Sequence, residues 1–406
     1  MKEDIFLVSK EGIRYTYHKL IEDINNSSKL LRCCYNPDTY SIFLHILTSI
    51  IYGKNMILLD YDFTDKELNS LGIDKNELSS YEYIDNQPIT NFQDILNKVD
   101  NNEDWKLTLF TSGTTCLPKI VTHSINNLTR FVRKSEKHQS DIWGFAYNPT
   151  HIAGIQVFFQ ALLNRNTIID LFNLSKNEIY NRIEEYQITN ISATPTFYRM
   201  LMPIDKYYPS IRRITSGGER FDVNLSKSLL IAFPNAKLRN IYASTEAGSV
   251  LESSNDHFRI TNPQICKIEH NKLYIHSSLV GVEDNSNYWY DTGDLVEIID
   301  ENTGEFVFIS RDNDVINVGG YNANPSEIEE ALCKHPAIAE ARVWGKPNPV
   351  IGNILIADVV CKCSCTEKEL REYLRSMLQD YKIPRIINFT TEIEKTRSGK
   401  IKRKLL

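Results

Sequence analysis

Hydrophobic and polar positions alternate between strand-like and helix-like patterns along most of the chain. Short apolar runs bounded by polar residues or glycine predict strands, and apolar positions repeated every three or four residues predict helices. The predicted strands are residues 55–60, 107–111, 190–193, 213–216 and 238–242, and the predicted helices include residues 20–33, 124–137 and 174–186. Strands that alternate with helices favour an α/β architecture.

A different pattern begins after about residue 280. Here the sequence predicts a hairpin over residues 295–309. It also predicts one helix that starts at residue 324 and a second over residues 366–379, with strands at residues 341–344 and 353–360. Asn324 followed by Pro325 marks a helix start, because asparagine is a good cap and proline is tolerated at the first helical position. These elements predict a compact αβ unit at the end of the chain.

The most apolar stretch, residues 40–59, is interrupted by His45, Lys54 and other polar side chains. It therefore predicts a buried helix followed by a strand, and no membrane span. The chain starts Met-Lys-Glu-Asp, without the apolar run of a secretory signal. Eight cysteines without such a signal are typical of reduced thiols, so we expect a cytoplasmic protein.

The spacing of Cys361, Cys363 and Cys365 does not match a zinc knuckle. On a strand the three sulfurs would share one face, so the pattern favours packing over metal binding. The net charge of -6 over 406 residues leaves no basic excess for neutralising nucleic-acid phosphates. A general nucleic-acid-binding protein is therefore not expected.

The segment Thr-Ser-Gly-Thr-Thr-Cys-Leu-Pro-Lys follows the predicted strand 107–111. Its hydroxyls, a glycine that permits close backbone approach and one lysine are suited to binding a polyphosphate. The residues concerned are Thr111, Ser112, Gly113, Thr114, Thr115 and Lys119. The segment is not a Walker A sequence, so a polar turn between a strand and a helix is the alternative.

Two other polar segments follow predicted strands. One contains Gly217, Gly218 and Glu219, and the next runs from Tyr242 to Glu246. Ligands of open α/β sheets bind where the carboxyl ends of parallel strands meet. Both segments are therefore predicted to lie at one edge of a sheet.

Three charged residues near the end of the chain complete the candidate set. Asp294 follows a tight turn, and Arg311 follows the second strand of the predicted hairpin. A carboxylate facing two ribose hydroxyls, with an arginine nearby, would suit a nucleotide. Lys400 lies behind a glycine in a basic loop, for which a solvated basic tail is the alternative.

In this order the segments resemble the adenylate-forming superfamily of acyl-CoA synthetases, peptide-synthetase adenylation domains and luciferases. The resemblance runs from about residue 107 to the end and is closest to acyl- or aryl-CoA ligases. It implies an α/β fold with a large multi-sheet N-terminal domain, residues 1–311, which is shortened at its start. A small mobile α+β C-terminal domain, residues 312–406, would follow, with Asn313 at the hinge.

The resemblance also implies a role for each segment. Residues 111–119 match the family's phosphate loop, and residues 217–219 match the strand end that lines adenine. Tyr242 would flank adenine, with Thr245 also binding the nucleotide, and Glu246 would hold Mg²⁺. Asp294 and Arg311 match the ribose-binding pair, and Lys400 matches the catalytic lysine.

The chemistry that the resemblance implies has two steps. A small-molecule carboxylic acid attacks the α-phosphorus of ATP, giving an acyl-adenylate and pyrophosphate. A thiol of CoA, or of phosphopantetheine on an acyl carrier protein, then displaces AMP. Lys119, Lys400 and the Mg²⁺ held by Glu246 would neutralise the charge that grows on the phosphate oxygens.

Residues 149–154, Pro-Thr-His-Ile-Ala-Gly, are similar to a segment of acyl- and aryl-CoA ligases that lines the acyl pocket. His151, Ile152 and Ala243 are therefore expected to line this pocket, although His151 could instead be a core histidine bonded to a backbone carbonyl. Ile152 takes the place where amino-acid-activating relatives have an aspartate. Isoleucine cannot stabilise a buried ammonium, so an aryl or medium acyl acid is expected.

The sequence departs from the family pattern at Cys116, Ala243 and Ser310, where glycine is usual. None of these departures removes a charge that the chemistry needs. Two alternatives stay open: a degenerate adenylate-binding protein without turnover, and a stand-alone adenylation domain for an amino acid.

Overall fold

The computed structural model describes residues 4–61, 63–84, 88–111, 119–218, 223–281, 288–311, 316–318, 321–348 and 352–395. The described helices are α1 Tyr17–Asn26, α2 Thr39–Ile51, α3 Asp65–Ser70, α4 Phe92–Asn101, α5 Ile125–Thr129, α6 Ile152–Leu162, α7 Lys176–Tyr186, α8 Pro195–Leu201, α9 Val223–Ala232, α10 Pro325–Cys333 and α11 Glu367–Arg375.

The described strands before residue 261 are β1 Ile5–Val8, β2 Arg14–Thr16, β3 Lys29–Leu31, β4 Cys33–Tyr35, β5 Met56–Leu59, β6 Tyr81–Tyr83, β7 Lys106–Thr111, β8 Lys119–Ser124, β9 Ile142–Phe145, β10 Thr167–Asp170, β11 Asn190–Ala193, β12 Arg213–Gly217, β13 Lys237–Ser244, β14 Gly248–Ser253 and β15 Phe258–Arg259. The later strands are β16 Cys266–Glu269, β17 Lys272–His276, β18 Trp289–Asp300, β19 Glu305–Arg311, β20 Ile316–Val318, β21 Tyr321–Ala323, β22 Ile338–Asn348, β23 Gly352–Cys361 and β24 Ile386–Phe389.

The chain divides into two compact units. The first comprises the residues up to Thr261 together with Ile275–Tyr290, and the second comprises Asn262–Tyr274 and the chain from Asp291 onward. The domain boundary expected between residues 311 and 312 stays a prediction.

The first unit contains a sheet of eight described strands in the order β14-β13-β12-β11-β9-β10-β1-β2. The six inner strands run parallel, and β14 and β2 add antiparallel at the two edges. A second sheet has the order β4-β5-β7-β8, in which only β8 runs antiparallel. The inner strands read as continuous apolar runs because parallel sheets are covered on both faces.

Two hydrophobic cores cover the two faces of the larger sheet. One core joins the two sheets through α2 and α6, and in it Phe43 stacks on Phe158 with ring centroids 4.2 Å apart and meets Phe145 edge-on. The other core lies under α7, α8 and α9, where Ile183 and Phe233 are fully buried. The carboxyl ends of the parallel strands are thereby held on a rigid support.

The second unit is built on β22 and β23, which pair antiparallel along most of their lengths, with β24 parallel to β23. Helices α10 and α11 pack with this sheet through buried Leu332 and Leu370. Asn324 caps α10 with Pro325 at the first helical position, as the sequence predicted. Thr366 opens α11 with a reciprocal capping box.

Some sequence-based boundaries are wrong. The helix predicted over residues 20–33 ends at Asn26, and the helix predicted over residues 124–137 ends at Thr129. In the second case the side chains of Gln160 and Asn164 bond the backbone of Arg133, so tertiary contacts replace helical hydrogen bonds. The helix and strand predicted for residues 40–59 are confirmed as α2 and β5. No helix among the described residues is both long and apolar enough to cross a membrane.

The cysteine prediction is also corrected in one respect. Strand β23 ends at Cys361, so Cys363 and Cys365 lie beyond it and the three sulfurs do not share a strand face. The Sγ atoms of Cys361 and Cys365 are 3.5 Å apart, and burial raises the pKa of Cys365 to about 11. In the described part of the chain, no three His, Cys, Asp or Glu side chains form a group that could hold a metal.

Asp358 on β23 is the buried ionic centre of the second unit. Its Oδ2 accepts from Arg342 Nη2 at 2.7 Å and from Trp344 Nε1 at 3.1 Å, and its Oδ1 accepts from Asn388 at 2.7 Å. Burial by itself opposes ionisation, but these hydrogen bonds lower the pKa of Asp358 below its ordinary value. A lowered folded-state pKa stabilises the fold above the unfolded-state pKa, and this stability is lost as the pH falls through the folded-state pKa.

We expect Asp358→Asn to lower the free energy of unfolding at pH 7 by about 2 kcal/mol, because a buried guanidinium loses its counter-charge. The difference from the wild type should shrink as the pH falls below about 4. Urea unfolding at several pH values measures this difference in the free energy of unfolding. Asp380→Asn is the control, since the Asp380 side chain is 92% exposed. Equal effects of the two substitutions would contradict this account.

Candidate active site

The candidate phosphate loop connects two antiparallel strands. Thr111 at the end of β7 pairs with Lys119 at the start of β8. Residues 112–118, and the side chains of Thr111 and Lys119, lie outside the described part of the structure. Strand β8 lies between the loop and the helix, and its last residue, Ser124, caps α5 at the position where the sequence predicted the helix to begin.

The segments after β12 and β13 emerge at the same edge of the larger sheet. The two strands are parallel, with Ser216 opposite Asn240 and Gly217 opposite Ile241. This confirms the placement that the sequence predicted for residues 217–218 and 242–246. Glu219 lies outside the described residues.

The two glycines after β12 allow a close approach of backbones at this edge. A Cβ on Gly217 would lie 3.0 Å from the carbonyl oxygen of Ile241, and Gly218 adopts a φ of +83°. A side chain at either position would cause crowding or strain. The neighbouring Ser216 hydroxyl is buried and makes no hydrogen bond with a described residue. Gly217 therefore serves the close packing of β12 against β13, and Gly218 the left-handed backbone that follows.

Glu246 lies in the turn between β13 and β14, and the three backbone carbonyls of this turn are all held from outside it. His123 Nε2 donates to the oxygen of Thr245 at 2.8 Å, and the N–H of Gly281 donates to that of Glu246 at 2.7 Å. Arg130 Nη2 donates to the oxygen of Ala247. The turn is thus fixed by groups distant in sequence, while the carboxylate of Glu246 makes no hydrogen bond or ion pair with any described residue.

Gly281 connects this turn to β8. Its carbonyl accepts from the N–H of Thr122 at 2.8 Å while its own N–H donates to Glu246. A Cβ on Gly281 would lie 2.7 Å from the oxygen of Thr122 and 3.0 Å from the His123 ring, so the contact requires glycine. Gly281 therefore joins the strand that follows the phosphate loop to the turn that carries Glu246, beside the direct bond from His123.

Arg130 on the other side of the turn is a partly buried cation whose hydrogen bonds go mainly to backbone carbonyls. Besides Ala247 it donates to the oxygens of Ser249 and Leu279, each at 3.2 Å. Burial lowers the pKa of Arg130 to about 10. It forms no ion pair with any residue that the structure describes. Backbone carbonyl oxygens therefore stabilise the charge of the Arg130 guanidinium.

We expect Arg130→Met to lower the free energy of unfolding by about 2 kcal/mol, because it leaves buried carbonyls without donors. Because Arg130 holds the turn that carries Glu246, the rate of any reaction that depends on Glu246 should also fall in Arg130→Met. Arg133→Met is the matched control, because Arg133 lies three residues on and forms an exposed pair with Glu252, worth about 0–1 kcal/mol. The melting temperatures of both variants test this expectation. An equal decrease in the two variants would contradict a structural role for Arg130.

His151 ends the loop after β9 and is the cap residue of α6, although its side chain makes no capping hydrogen bond. Its Nε2 instead lies 3.1 Å from Oδ2 of Asp60, which follows β5. The alternative of a histidine satisfied by a backbone carbonyl is not what the structure shows. Ile152 begins α6 and is buried in the core between the two sheets. Ala243 lies on β13 beside Tyr242 and is partly exposed.

Asp294 and Arg311 belong to the second unit and pair directly across β18 and β19. The sequence had predicted this hairpin. The N–H of Asp294 donates to the hydroxyl of Thr292 at 3.1 Å within β18, and Gly293 adopts a φ of +71°. A local irregularity inside the strand therefore replaces the tight turn that the sequence predicted before Asp294. The Arg311 side chain, Asn313 and Lys400 lie outside the described part of the structure.

The sequence did not indicate Asp60, His123 or Arg130. Each makes its key contact with a residue about a hundred positions away, and none stands in a motif that predicts a partner. The available signal was position alone, because Asp60 follows an apolar strand and His123 is the penultimate residue of the strand after the phosphate loop.

The chain matches the AMP-binding enzyme family over residues 50–277 and the AMP-binding enzyme C-terminal domain over residues 327–400. It therefore belongs to the AMP-binding enzyme family. This confirms the adenylate-forming resemblance, and with it a large N-terminal α/β domain followed by a smaller C-terminal domain.

Among similar proteins is 4-hydroxybutyrate–CoA ligase 1 of Metallosphaera sedula, which is 28% identical over 74% of this chain and 61% of its own length. Another is 2-succinylbenzoate–CoA ligase of Listeria monocytogenes, 26% identical over 75% of this chain and 71% of its own. The chain thus spans about three fifths of the first of these relatives.

The fold is shared with o-succinylbenzoate CoA synthetase of Bacillus subtilis in complex with an acyl-adenylate intermediate. The TM-score is 0.75 at 21% identity, and the match covers 98% of this chain and 94% of that one. ATP-bound MatB of Rhodopseudomonas palustris matches with the same TM-score and coverage at 17% identity.

Proposed function

We propose that this chain activates a carboxylic acid with ATP, forming an acyl-adenylate and pyrophosphate, and then transfers the acyl group to the thiol of CoA. The observation that carries the proposal is Glu246 on its externally fixed turn. Membership of the AMP-binding family and similarity to proteins named CoA ligases support it. A carrier-protein thiol as acceptor has no separate support.

The Glu246 carboxylate fits a Mg²⁺ ligand. It is partly exposed, makes no hydrogen bond or ion pair with a described residue, and is an oxygen donor of the kind Mg²⁺ prefers. When bound there with ATP, the ion would neutralise charge on the phosphate oxygens. Because the backbone of the turn is already fixed, little reorganisation would be needed when that charge grows.

The other residues are assigned by their positions. Gly217 and Gly218 would let adenine lie against the edge of the sheet beside Tyr242. Residues 111–119 would bind the phosphates, with Lys119 as the cation. Asp294 and Arg311, which are neighbours across β18 and β19, would bind the ribose hydroxyls.

For the acid, we propose a pocket lined by His151, Ile152 and Ala243. Ile152 supports an acyl or aryl group over an α-amino acid, because no carboxylate occupies this position to pair with an ammonium. Similarity to ligases named for 4-hydroxybutyrate and 2-succinylbenzoate is consistent with acids of this size.

The test is a screen for pyrophosphate release with aryl, fatty and amino acids, each with and without CoA. We expect release with an aryl or medium acyl acid, and a thioester only when CoA is present. Calorimetric binding of ATP without release for any acid would instead establish an adenylate-binding protein. Release with an α-amino acid would overturn the assignment of Ile152, and a thioester on a carrier protein but not on CoA would overturn the acceptor.

A further inference from the structure

Asp60 is a buried carboxylate that holds His151. It follows β5 directly, is 7% exposed, and its Oδ2 lies 3.1 Å from His151 Nε2. Asp60 follows β5 of the four-stranded sheet, and His151 ends the loop that follows β9 of the eight-stranded sheet. The contact therefore links the ends of strands from two different sheets of the first unit. This contact orients the imidazole at one end of α6.

The other carboxylate oxygen of Asp60 is occupied by two donors. Oδ1 accepts from Asn148 Nδ2 at 3.1 Å and from the hydroxyl of Thr150. The side-chain amide of Asn148 cannot rotate by 180° without losing hydrogen bonds, because its oxygen accepts from the N–H of Thr150 at 3.0 Å. The two oxygens of Asp60 thus face different partners in a fixed arrangement.

The loop from Asn148 to α6 depends on a glycine. A Cβ on Gly154 would lie 2.4 Å from the carbonyl oxygen of Asn148, so another residue would push the loop outward. The position of the donors around Asp60 is therefore built into the backbone and does not depend on side-chain rotation alone.

The arrangement determines which nitrogen of His151 carries the proton. A carboxylate can only accept, so Nε2 must donate to Oδ2. In a neutral imidazole the other nitrogen is then an acceptor. Nδ1 of His151 makes no hydrogen bond with any described residue, which leaves this acceptor for a ligand.

We propose that Asp60 is a positioning residue that fixes the tautomer of His151, so that Nδ1 accepts a hydrogen bond from a donor group on the acyl part of the substrate. The inference rests on the proposed function, in which His151 lines the acyl pocket. It narrows the substrate to carboxylic acids that carry a second polar group with a hydrogen to donate, such as a hydroxyl or an amide.

Asp60→Asn tests the proposal with almost no change in shape. Asn148 Nδ2 donates to the Oδ1 position, and the Thr150 hydroxyl lies within hydrogen-bond distance of both this oxygen and Asn148 Oδ1. The amide oxygen therefore takes the Oδ1 position, because an NH₂ group there would face the NH₂ group of Asn148, and the new NH₂ group faces His151. Nε2 must then accept, and the proton moves to Nδ1. The substitution therefore changes Nδ1 of His151 from a hydrogen-bond acceptor to a donor.

The tautomer is measured by ¹⁵N NMR of the histidine side chains, with His151→Gln for assignment. We expect an Nε2–H signal for His151 in the wild type and an Nδ1–H signal in Asp60→Asn. An Nδ1–H signal in the wild type would overturn the proposal whether or not the variant folds. This measurement needs no substrate, so it is independent of the proposed function.

Kinetics test the role in specificity. For the best hydroxy acid in the screen and its deoxy analogue, we expect kcat/KM to favour the hydroxy acid by about tenfold in the wild type, and this preference to disappear in Asp60→Asn. The KM for ATP should not change. Asp170→Asn is the control, because Asp170 is a buried aspartate whose carboxylate bonds Thr39 and the N–H of Phe172 and not His151.

The possible failures are distinguishable. No pyrophosphate release with any acid would refute the proposed function and leave the tautomer result to decide the role of Asp60. Release only with acids that lack a donor, or an equal preference in the wild type and Asp60→Asn, would refute the role in specificity. A loss of preference in Asp170→Asn of the same size would show that the effect is general destabilisation.

Discussion

Glu246→Gln is expected to lower acid-dependent ATP–pyrophosphate exchange by about 100-fold, the usual cost of removing one charge-stabilising group at a reacting phosphate or carbonyl. Glutamine keeps the shape of the side chain and removes only the charge. The Mg²⁺ concentration needed for half-maximal exchange should rise, because a neutral amide is a weaker ligand for a hard cation than a carboxylate.

The stability of the fold separates this effect from a structural one. The turn is held through its backbone carbonyls, and the carboxylate itself makes no hydrogen bond with a described residue. The melting temperature of Glu246→Gln should therefore match that of the wild type. Glu185→Gln is the matched control, since Glu185 is 57% exposed in a long surface contact with Arg14. Exchange at the wild-type rate at limiting Mg²⁺ would refute the role of Glu246.

Lys400→Ala is expected to lower adenylate formation by about 1,000-fold, because a lysine ammonium that meets the transferring phosphate stabilises charge present only in the transition state. The expectation rests on the position of Lys400 at the end of the match to the family's C-terminal domain. Thioester formation from a preformed acyl-adenylate should survive, since that step does not require the α-phosphate to be attacked.

Lys402→Ala is the control for Lys400. It removes the same charge two residues on, so a solvated basic tail would respond equally to both substitutions. Measuring the two half-reactions separately, by pyrophosphate exchange and by CoA consumption from synthetic acyl-adenylate, decides between them. Full exchange in Lys400→Ala, or equal losses in both variants, would contradict the proposed catalytic role of Lys400.

Local patterns in the sequence were sufficient to locate much of the candidate site. Strands β12 and β13 and the polar segments after them could be predicted because apolar runs and small residues are short-range signals. The hairpin that pairs Asp294 with Arg311 was predicted for the same reason. The cap residue Asn324 was correct because capping is decided within one helical turn.

Helix ends that depend on distant partners could not be predicted in this way. The pattern after Ser124 is compatible with a long helix, but α5 ends at Thr129 because side chains of α6 and the loop after it bond the backbone near Arg133. Propensity is a weak preference that tertiary contacts override.

The sequence by itself determined the family, the alternation of elements and the motifs at the strand ends, because each depends on residues close together in the chain. Only the tertiary structure decided what holds those motifs in place. His123 and Arg130 reach the turn of Glu246 across 122 and 117 positions, and Asp60 reaches His151 across 91. Such contacts follow from how the sheets pack, and hydrophobic periodicity carries no information about which distant side chains will meet.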